Sequence, residues 1–392
     1  MIHRALGRTG RDGSGKHTKR CESKVEKAME IKKIVITGGP CAGKTTGLSL
    51  IQNAFSLRGY RVLIVPETAT ELITGGVAPW TCGSNAEYQK CQVRLQIEKE
   101  RIFERAASTM KDDRILIVCD RGALDNKAYM NDEEFAEVLA DVGTNEVELR
   151  DQYNAVFHLV TAAKGAEKFY TKDNNTARYE SVEEARALDE RLIAAWTGHP
   201  HLRILDNSTS FGDKMNHLIA EIAAYLGGPE PFQLERKYLI EYPDVEELGR
   251  LPNCRKVMIE QTYLPSYNGE EIRIRQRGVD GHYIYTETKK KPISGLKRLS
   301  WERRLSSEEY LERLREADPD RRIIQKERYC LADGNQYFEI DIFPFWNDKA
   351  ILEIELSDPE EEIRFPKMLK ILREVTDDPA YKNAALAKSL PE

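Results

Sequence analysis

The fold of the first half of the chain is decided by the stretch Ile34-Val35-Ile36-Thr37-Gly38-Gly39-Pro40-Cys41-Ala42-Gly43-Lys44-Thr45-Thr46. An apolar, β-branched run ends at Thr37, a glycine-rich loop follows, and helix-forming residues continue to Leu57. This order predicts a buried strand, a tight loop and a helix. The spacing of the glycines and of Lys44-Thr45 matches G-x-x-x-x-G-K-[ST], the phosphate-binding loop or P-loop.

The chemistry of phosphate binding explains these residue types. Glycines let successive backbone N–H groups turn toward phosphate oxygens, and the helix that follows presents its positive end. Lys44 would contact the β- and γ-phosphates, and the Thr45 hydroxyl would ligate Mg²⁺. The alternative is a glycine-rich turn without a ligand. The predicted nucleotide-binding residues are Gly38, Gly39, Pro40, Cys41, Ala42, Gly43, Lys44, Thr45 and Thr46.

The rest of residues 31–228 alternates between strand-like and helix-like sequence. Apolar runs at 61–65, 115–119, 155–160 and 202–205 read as strands, and amphipathic segments between them read as helices. Strands that alternate with helices imply right-handed crossovers and a parallel sheet, whose ligands bind at the carboxyl edge of its strands. The prediction is an α/β nucleotide-binding domain.

Polar residues follow two of these strands. Asp120 would hold Mg²⁺ as the second acid, Arg121 would face a phosphate or an acceptor, and Glu67 would act as a base or contact an acceptor. A lysine- and arginine-rich segment at 164–186 would form a lid whose arginine, Arg178, closes on the γ-phosphate. The alternatives are a helix cap, a surface arginine and a solvated loop. The predicted catalytic residues are Lys44, Asp120, Arg121 and Arg178.

The breaker run at 227–231 predicts a domain boundary, and residues 231–392 have a different pattern. Strand-like runs carry charges at alternate positions, which places each set of charges on one face. One such run is typical of an ordinary sandwich strand, but seven runs of mixed charge favour a sheet closed around a polar lumen. Its cations would bind a polyanion, and its acids would hold Mg²⁺ or Mn²⁺. The predicted cations are Lys237, Arg273, Arg275, Lys289, Arg304, Lys326 and Arg328, and the predicted acids are Glu235, Glu339, Asp341, Glu353 and Glu355.

Both halves resemble known families. GGPCAGKTT, Asp120-Arg121 and the arginine-bearing segment resemble P-loop kinases of the nucleoside- and nucleotide-kinase type. Leu234-Glu235-Arg236-Lys237, with Arg273-Ile274-Arg275 and Glu353-Ile354-Glu355, resembles the CYTH, or triphosphate-tunnel, family. That resemblance implies an antiparallel tunnel that binds triphosphate compounds with a divalent metal. The family signature begins with Glu where this chain has Gln233, which disfavours hydrolysis by this half.

The order of the two halves resembles the family of the TRPL translocation defect protein. That resemblance implies GTP binding, recognition of acidic phospholipid, peripheral membrane contact and a role in trafficking. The fold class predicted overall is α/β plus α+β, a parallel-sheet P-loop domain followed by a CYTH-like antiparallel β tunnel.

Composition limits the classes of function. The chain has 392 residues and a net charge of −6, which argues against general nucleic-acid binding. Its seven cysteines show no metal-binding spacing, which favours a reducing, cytoplasmic environment. Residues 1–30 read as a basic, disordered tail, and Asp12 and Glu22 within it disfavour a mitochondrial presequence.

Three hypotheses of function follow. The first is a Mg²⁺-dependent GTP- or ATP-binding regulator whose second half binds a phosphorylated small molecule or an acidic phospholipid headgroup. The second is a bifunctional enzyme in which a small-molecule P-loop kinase is joined to a metal-dependent triphosphatase. The third is a scaffold with occupied but non-catalytic sites. Phosphate release separates the second hypothesis from the other two.

Overall fold

The structure is a computed structural model that describes residues 30–170, 181–227, 234–266, 270–294, 297–356 and 361–391. We call residues 30–227 the α/β half and residues 234–391 the antiparallel half. The predicted boundary at 227–231 lies mostly outside the described residues. The predicted two-part fold is confirmed, because a parallel sheet with helices is followed by a separate antiparallel sheet.

The α/β half contains a five-stranded sheet in the order β2-β3-β1-β4-β5, and all of its strand pairs are parallel. The middle strand leads directly into the P-loop. The strands are β1 (Glu30–Gly38), β2 (Arg61–Val65), β3 (Arg114–Asp120), β4 (Ala155–Leu159) and β5 (Leu202–Leu205). The helices are α1 (Lys44–Leu57), α2 (Thr68–Thr74), α3 (Asn85–Ala107), α4 (Asp132–Val142), α5 (Glu146–Asp151), α6 (Val182–Trp196) and α7 (Phe211–Tyr225).

Helices cover both faces of this sheet because its strands are apolar on both sides. Along β1, Val35 joins a core that includes Trp196 of α6, whereas Ile34 and Ile36 join a core that includes Phe55 of α1. With both faces buried, the open positions for a ligand lie at the carboxyl edge of the strands, where the P-loop begins.

The antiparallel half contains a nine-stranded sheet in the order β10-β9-β8-β7-β11-β12-β13-β6-β14. The strands are β6 (Leu234–Glu241), β7 (Cys254–Leu264), β8 (Glu271–Val279), β9 (His282–Ser294), β10 (Lys297–Leu305), β11 (Ile324–Asp333), β12 (Gln336–Ile342), β13 (Lys349–Leu356) and β14 (Ile371–Glu374). The short helices are α8 (Val245–Arg250), α9 (Ser307–Leu314) and α10 (Asn383–Leu386).

One face of this sheet is charged, and it is enclosed. Lys326, Asp341 and Glu353 point to the same face, yet all three are buried. Lys290 of β9 lies close enough to Glu235 of β6 for the two charges to interact, although five strands lie between them in the sheet order. The sheet therefore curls around its charged face, and we call the enclosed space the lumen.

None of the helices in the described parts of the chain is both long enough and apolar enough to cross a lipid bilayer.

Candidate phosphate-binding sites

The P-loop has a backbone that requires glycine at two positions. Gly38 has φ 143° and Gly43 has φ 93°, both in the region that L side chains avoid. A Cβ atom at Gly38 would lie 2.0 Å from the carbonyl oxygen of Leu159 on β4. The loop can therefore turn tightly between β1 and α1 only because these positions carry no side chain.

Lys44 lies at the start of α1 with its ammonium folded back over the loop. Its Nζ donates to the carbonyl oxygens of Gly38, at 3.0 Å, and Gly39, at 3.2 Å. Burial lowers the pKa of Lys44 to about 8, and the positive charge of Arg121 adds to that shift. The negative oxygens of a bound phosphate chain would compensate the positive charge of this ammonium.

Residues of α6, of β4 and of the segment just after β4 make hydrogen bonds that hold the loop in place. Asp189 Oδ1 accepts from Gly39 N at 2.9 Å and from Thr161 N at 3.1 Å, and it lies 3.0 Å from His158 Nε2. Thr161 Oγ1 donates to the Pro40 carbonyl at 2.5 Å. These contacts fix the first part of the loop without using the backbone N–H groups of its later residues.

Arg121 and Glu67 form an ion pair at the same sheet edge. Arg121 Nε donates to Glu67 Oε1 at 2.6 Å, and Arg121 has φ 67°, unusual for a non-glycine residue. Burial alone would raise the pKa of Glu67, but Arg121 and Lys44 lower it to about 2. Glu67 is therefore an anion near neutral pH, and as paired here it is a weak base.

The residues at this edge suit a magnesium ion. Asp120 Oδ1 is buried and has no hydrogen-bond partner within the described part of the chain. Burial raises the pKa of Asp120, and the charge of Glu67 adds to the rise. Thr45, at the start of α1, is exposed. An unpartnered carboxylate oxygen and an accessible hydroxyl are donors that Mg²⁺ accepts.

The lid prediction is only partly within the described residues. Arg178 lies outside them. At the described end of the segment, Arg186 donates to the Ala163 carbonyl at 2.6 Å and pairs with Glu167 at 2.7 Å. The contacts of Arg186 in this structure are therefore with residues of the same segment.

In the lumen, the predicted cations and acids of four strands form a dense ion-pair network. Arg328 Nη2 lies 2.7 Å from Glu353 and 2.7 Å from Asp341, and Arg328 also pairs with Glu339. Lys326 pairs with Asp341, and Lys237 pairs with Glu235 and Glu353. Each of these charges is largely neutralised by neighbours within the protein.

Arg273 and Arg275 differ from that network. Their Nε atoms are buried and have no hydrogen-bond partner within the described ranges. Arg275 donates to the neutral Gln261 at 3.1 Å, and Arg273 approaches Glu271 only to 4.0 Å. Burial lowers the pKa of Arg275 to about 10, with Arg273 the next cause. Half-buried cations with so little neutralising charge beside them favour an anion.

Lys289 was predicted to face the lumen, but the structure places it on the outer face. It pairs in register with Ile272, it is exposed, and its Nζ lies 5.5 Å from the Trp301 ring centroid. Its neighbour Lys290 takes the lumen position instead, opposite Glu271. Arg304 lies on the predicted face of the sheet, because it pairs with Thr286, which in turn pairs with Arg275. Its side chain is exposed.

The five acids predicted to bind metal do not form a ready-made metal site. The described residues include no group of three His, Cys, Asp or Glu side chains arranged to hold an ion. Four of the acids are paired within the lumen network, and Glu355 pairs with Arg203 of the α/β half. A metal could use them only if their cations moved to a bound phosphate.

Several residues at these sites were not predicted from the sequence. Asp189 is buried on the apolar face of α6, among Ala185, Leu188 and Leu192, and a lone acid at such a position was the available signal. Lys290 and Gln261 were also missed. Their positions follow from strand register, which period-two patterns leave open.

Comparison with known proteins finds one family model and two similar proteins. The AAA domain family matches residues 33–214. The inorganic triphosphatase of Nitrosomonas europaea (strain ATCC 19718) is 33% identical over 164 residues, which covers 41% of this chain and 99% of that protein. The inorganic triphosphatase of Acetivibrio thermocellus is 29% identical over 161 residues, covering 40% of this chain and 94% of that protein.

Two solved structures match part of the chain. The crystal structure of the inorganic triphosphatase NE1496 is 27% identical, with coverage of 41% of this chain and 96% of that one and a TM-score of 0.29. The structure of the PH1012 protein from Pyrococcus horikoshii OT3 is 16% identical, with coverage of 32% and 82% and a TM-score of 0.24.

Proposed function

Because this chain belongs, over the 164 residues that match, to the same family as the inorganic triphosphatase of Nitrosomonas europaea, we propose that its antiparallel half binds a triphosphate chain in the lumen. The α/β half binds a nucleoside triphosphate with Mg²⁺ at the P-loop. The protein thus carries two separate sites for triphosphate groups. The CYTH-like tunnel and the domain limits 31–228 and 231–392 are part of this proposal.

The observation that carries the lumen proposal is the weak neutralisation of two arginines, since Arg275 donates to the neutral Gln261 and Arg273 reaches Glu271 only at 4.0 Å. Burial of a guanidinium costs free energy unless an anion compensates it. Arg273 and Arg275 lie side by side on β8, opposite Tyr263 and Gln261, and Lys290 lies nearby. A triphosphate would supply several negative oxygens to these cations. It would also draw Arg328 or Lys237 away from their acids, which would free carboxylates for a divalent metal such as Mg²⁺ or Mn²⁺.

At the P-loop, Thr45 and Asp120 would hold Mg²⁺, which would neutralise charge on the phosphates. Lys44 and the N–H groups of the loop would orient the phosphate chain. Arg121, whose Nη1 is buried without a partner in the described part of the chain, would contact a phosphate oxygen or an acceptor.

A second candidate, the bifunctional enzyme, is favoured by the Glu67–Arg121 pair beside Lys44. If a substrate took over Arg121, the pKa of Glu67 would rise from about 2 toward its ordinary value. Glu67 could then accept a proton from an acceptor hydroxyl during phosphoryl transfer. Binding assays on the same sites can compare GTP with ATP at the P-loop. They can also compare an acidic phospholipid headgroup with tripolyphosphate in the lumen.

The test is calorimetric titration of inorganic tripolyphosphate, with Mg²⁺, into the full chain and into the variant Arg273→Ala with Arg275→Ala. We expect the variant to lose about 10- to 100-fold in affinity, since two charge-assisted contacts are removed. Arg250→Ala, an exposed arginine paired with Glu246, is the matched control for loss of positive charge. Equal affinity of wild type and double variant would refute the lumen site, and phosphate release would favour the enzyme.

A further inference from the structure

One end of the lumen is closed by an apolar cluster. On β13, Ile351 belongs to this cluster, whereas Glu353, two residues further on, is in the ion-pair network. On β11, Ile324 belongs to the cluster and Lys326 to the network. Leu386 of α10 also packs in the cluster. A buried apolar cluster of this kind leaves no path for a charged chain.

The other end of the lumen lies against the α/β half. Continuing along β13 in the same direction, the next residue on the charged face is Glu355, which pairs with Arg203 of β5. Arg277 is two residues beyond Arg275 on β8, and its Nη1 lies 2.5 Å from Asp151 Oδ2. Arg277 also donates to the Gly198 carbonyl. The charged faces of these two strands thus end in contacts with the other half.

This contact is packed as well as charged. On β12, the Tyr337 hydroxyl accepts from Gly198 N at 2.9 Å and donates to the His199 carbonyl at 3.1 Å. The Tyr337 ring packs against the hydrophobic core that contains Trp196. The contacts come from the segment before β5, at the edge of the parallel sheet opposite the P-loop. The nucleotide site therefore remains open while this edge is covered.

His201 belongs to this segment and lies near the lumen arginines Arg275 and Arg277. Its Nδ1 atom is buried and has no hydrogen-bond partner among the residues that the structure describes. Burial lowers the pKa of His201 well below its usual range, and Arg203, Arg277 and Arg275 are close enough to add to the shift. His201 of the α/β half therefore lies near two of the lumen arginines, Arg275 and Arg277.

We propose that residues 198–203 of the α/β half form an end wall of the lumen, so that the lumen is a cavity closed at both ends and takes a short phosphate chain. The proposal rests on the proposed function, because it concerns the ligand of the same lumen. Each added phosphate strengthens binding only while it still meets lumen cations. A longer chain cannot thread through a closed cavity, so its additional phosphates meet no lumen cations.

The test measures the affinity of the full chain for linear inorganic polyphosphates of increasing length, with Mg²⁺ and enough salt to screen surface charge. We expect wild-type affinity per chain to be the same, within about 3-fold, for tripolyphosphate and for long-chain polyphosphate. In the variant Arg203→Ala with Tyr337→Phe, which loosens the wall, affinity should rise with chain length.

Wild-type affinity that rises steadily beyond tripolyphosphate would overturn the wall. Failure of wild type to bind tripolyphosphate at all would overturn the proposed function and the wall with it, so the two failures are distinguishable. Arg250→Ala again controls for loss of charge. If the wall variant unfolds, as thermal unfolding would reveal, the wild-type length series still decides.

Discussion

The charge of Lys44 depends on pH in the range where nucleotide binding is usually measured. Burial and Arg121 lower its pKa to about 8 in the ligand-free protein. A bound triphosphate favours the charged ammonium, so the pKa of Lys44 rises in the complex. Binding therefore takes up a proton at high pH, and that proton becomes harder to obtain as the pH rises.

We predict that affinity for MgATP or MgGTP is constant from pH 6.5 to 7.5 and falls above pH 8, by up to ~10-fold per pH unit. Titration calorimetry in buffers of different ionisation enthalpy would detect the proton uptake. The control is Lys44→Ala, which should bind at least ~100-fold more weakly and without this pH dependence. A wild-type affinity that stays constant to pH 9.5 would contradict the role assigned to Lys44.

Residues near one another in sequence were predicted more successfully than residues brought together by folding. The P-loop spacing located Gly38, Gly43 and Lys44 because that loop is one continuous segment. Asp189 was missed since it reaches Gly39 across 150 positions of sequence. No local pattern contains that information.

Elements of secondary structure were largely predictable, but their register was not. The predicted strands at 61–65 and 202–205 coincide with β2 and β5, because short apolar runs indicate buried strands directly. Register in the antiparallel half depends on the turns. Between β8 and β9, Val279 pairs with His282 around Asp280-Gly281, whose φ values of 51° and 82° are those of a tight two-residue turn. That dipeptide was the missed signal for Lys290.

The register makes a testable distinction between adjacent lysines. Lys290→Ala should weaken tripolyphosphate binding by about 5- to 20-fold, since it removes a cation from the lumen. Lys289→Ala, one residue away on the outer face, should change affinity less than 2-fold because exposed charges are screened by solvent. Calorimetry on both variants measures this. A larger effect at Lys289 than at Lys290 would mean that the strand is shifted by one residue.

In the whole molecule, the arrangement of the two halves could not be predicted from the sequence. The pairs that join them, such as Arg277 with Asp151 and Arg203 with Glu355, are separated by 126 and 152 positions. Each half has its own pattern of apolar and charged residues. The charged residues on a strand do not indicate which surface of the other half they will contact. The structure places the P-loop and the covered end of the lumen at opposite edges of the parallel sheet, which makes two independent sites sterically compatible.

The most direct test of two separate sites is a sequential titration of the full chain. The P-loop is first saturated with a non-hydrolysable nucleoside triphosphate and Mg²⁺, and tripolyphosphate is then titrated by calorimetry. We predict that tripolyphosphate still binds, with an affinity within ~3-fold of that without nucleotide, and that Lys44→Ala loses only the nucleotide step. If bound nucleotide abolishes tripolyphosphate binding, or Lys44→Ala removes both steps, the two ligands share one site and the proposal of two separate sites is wrong.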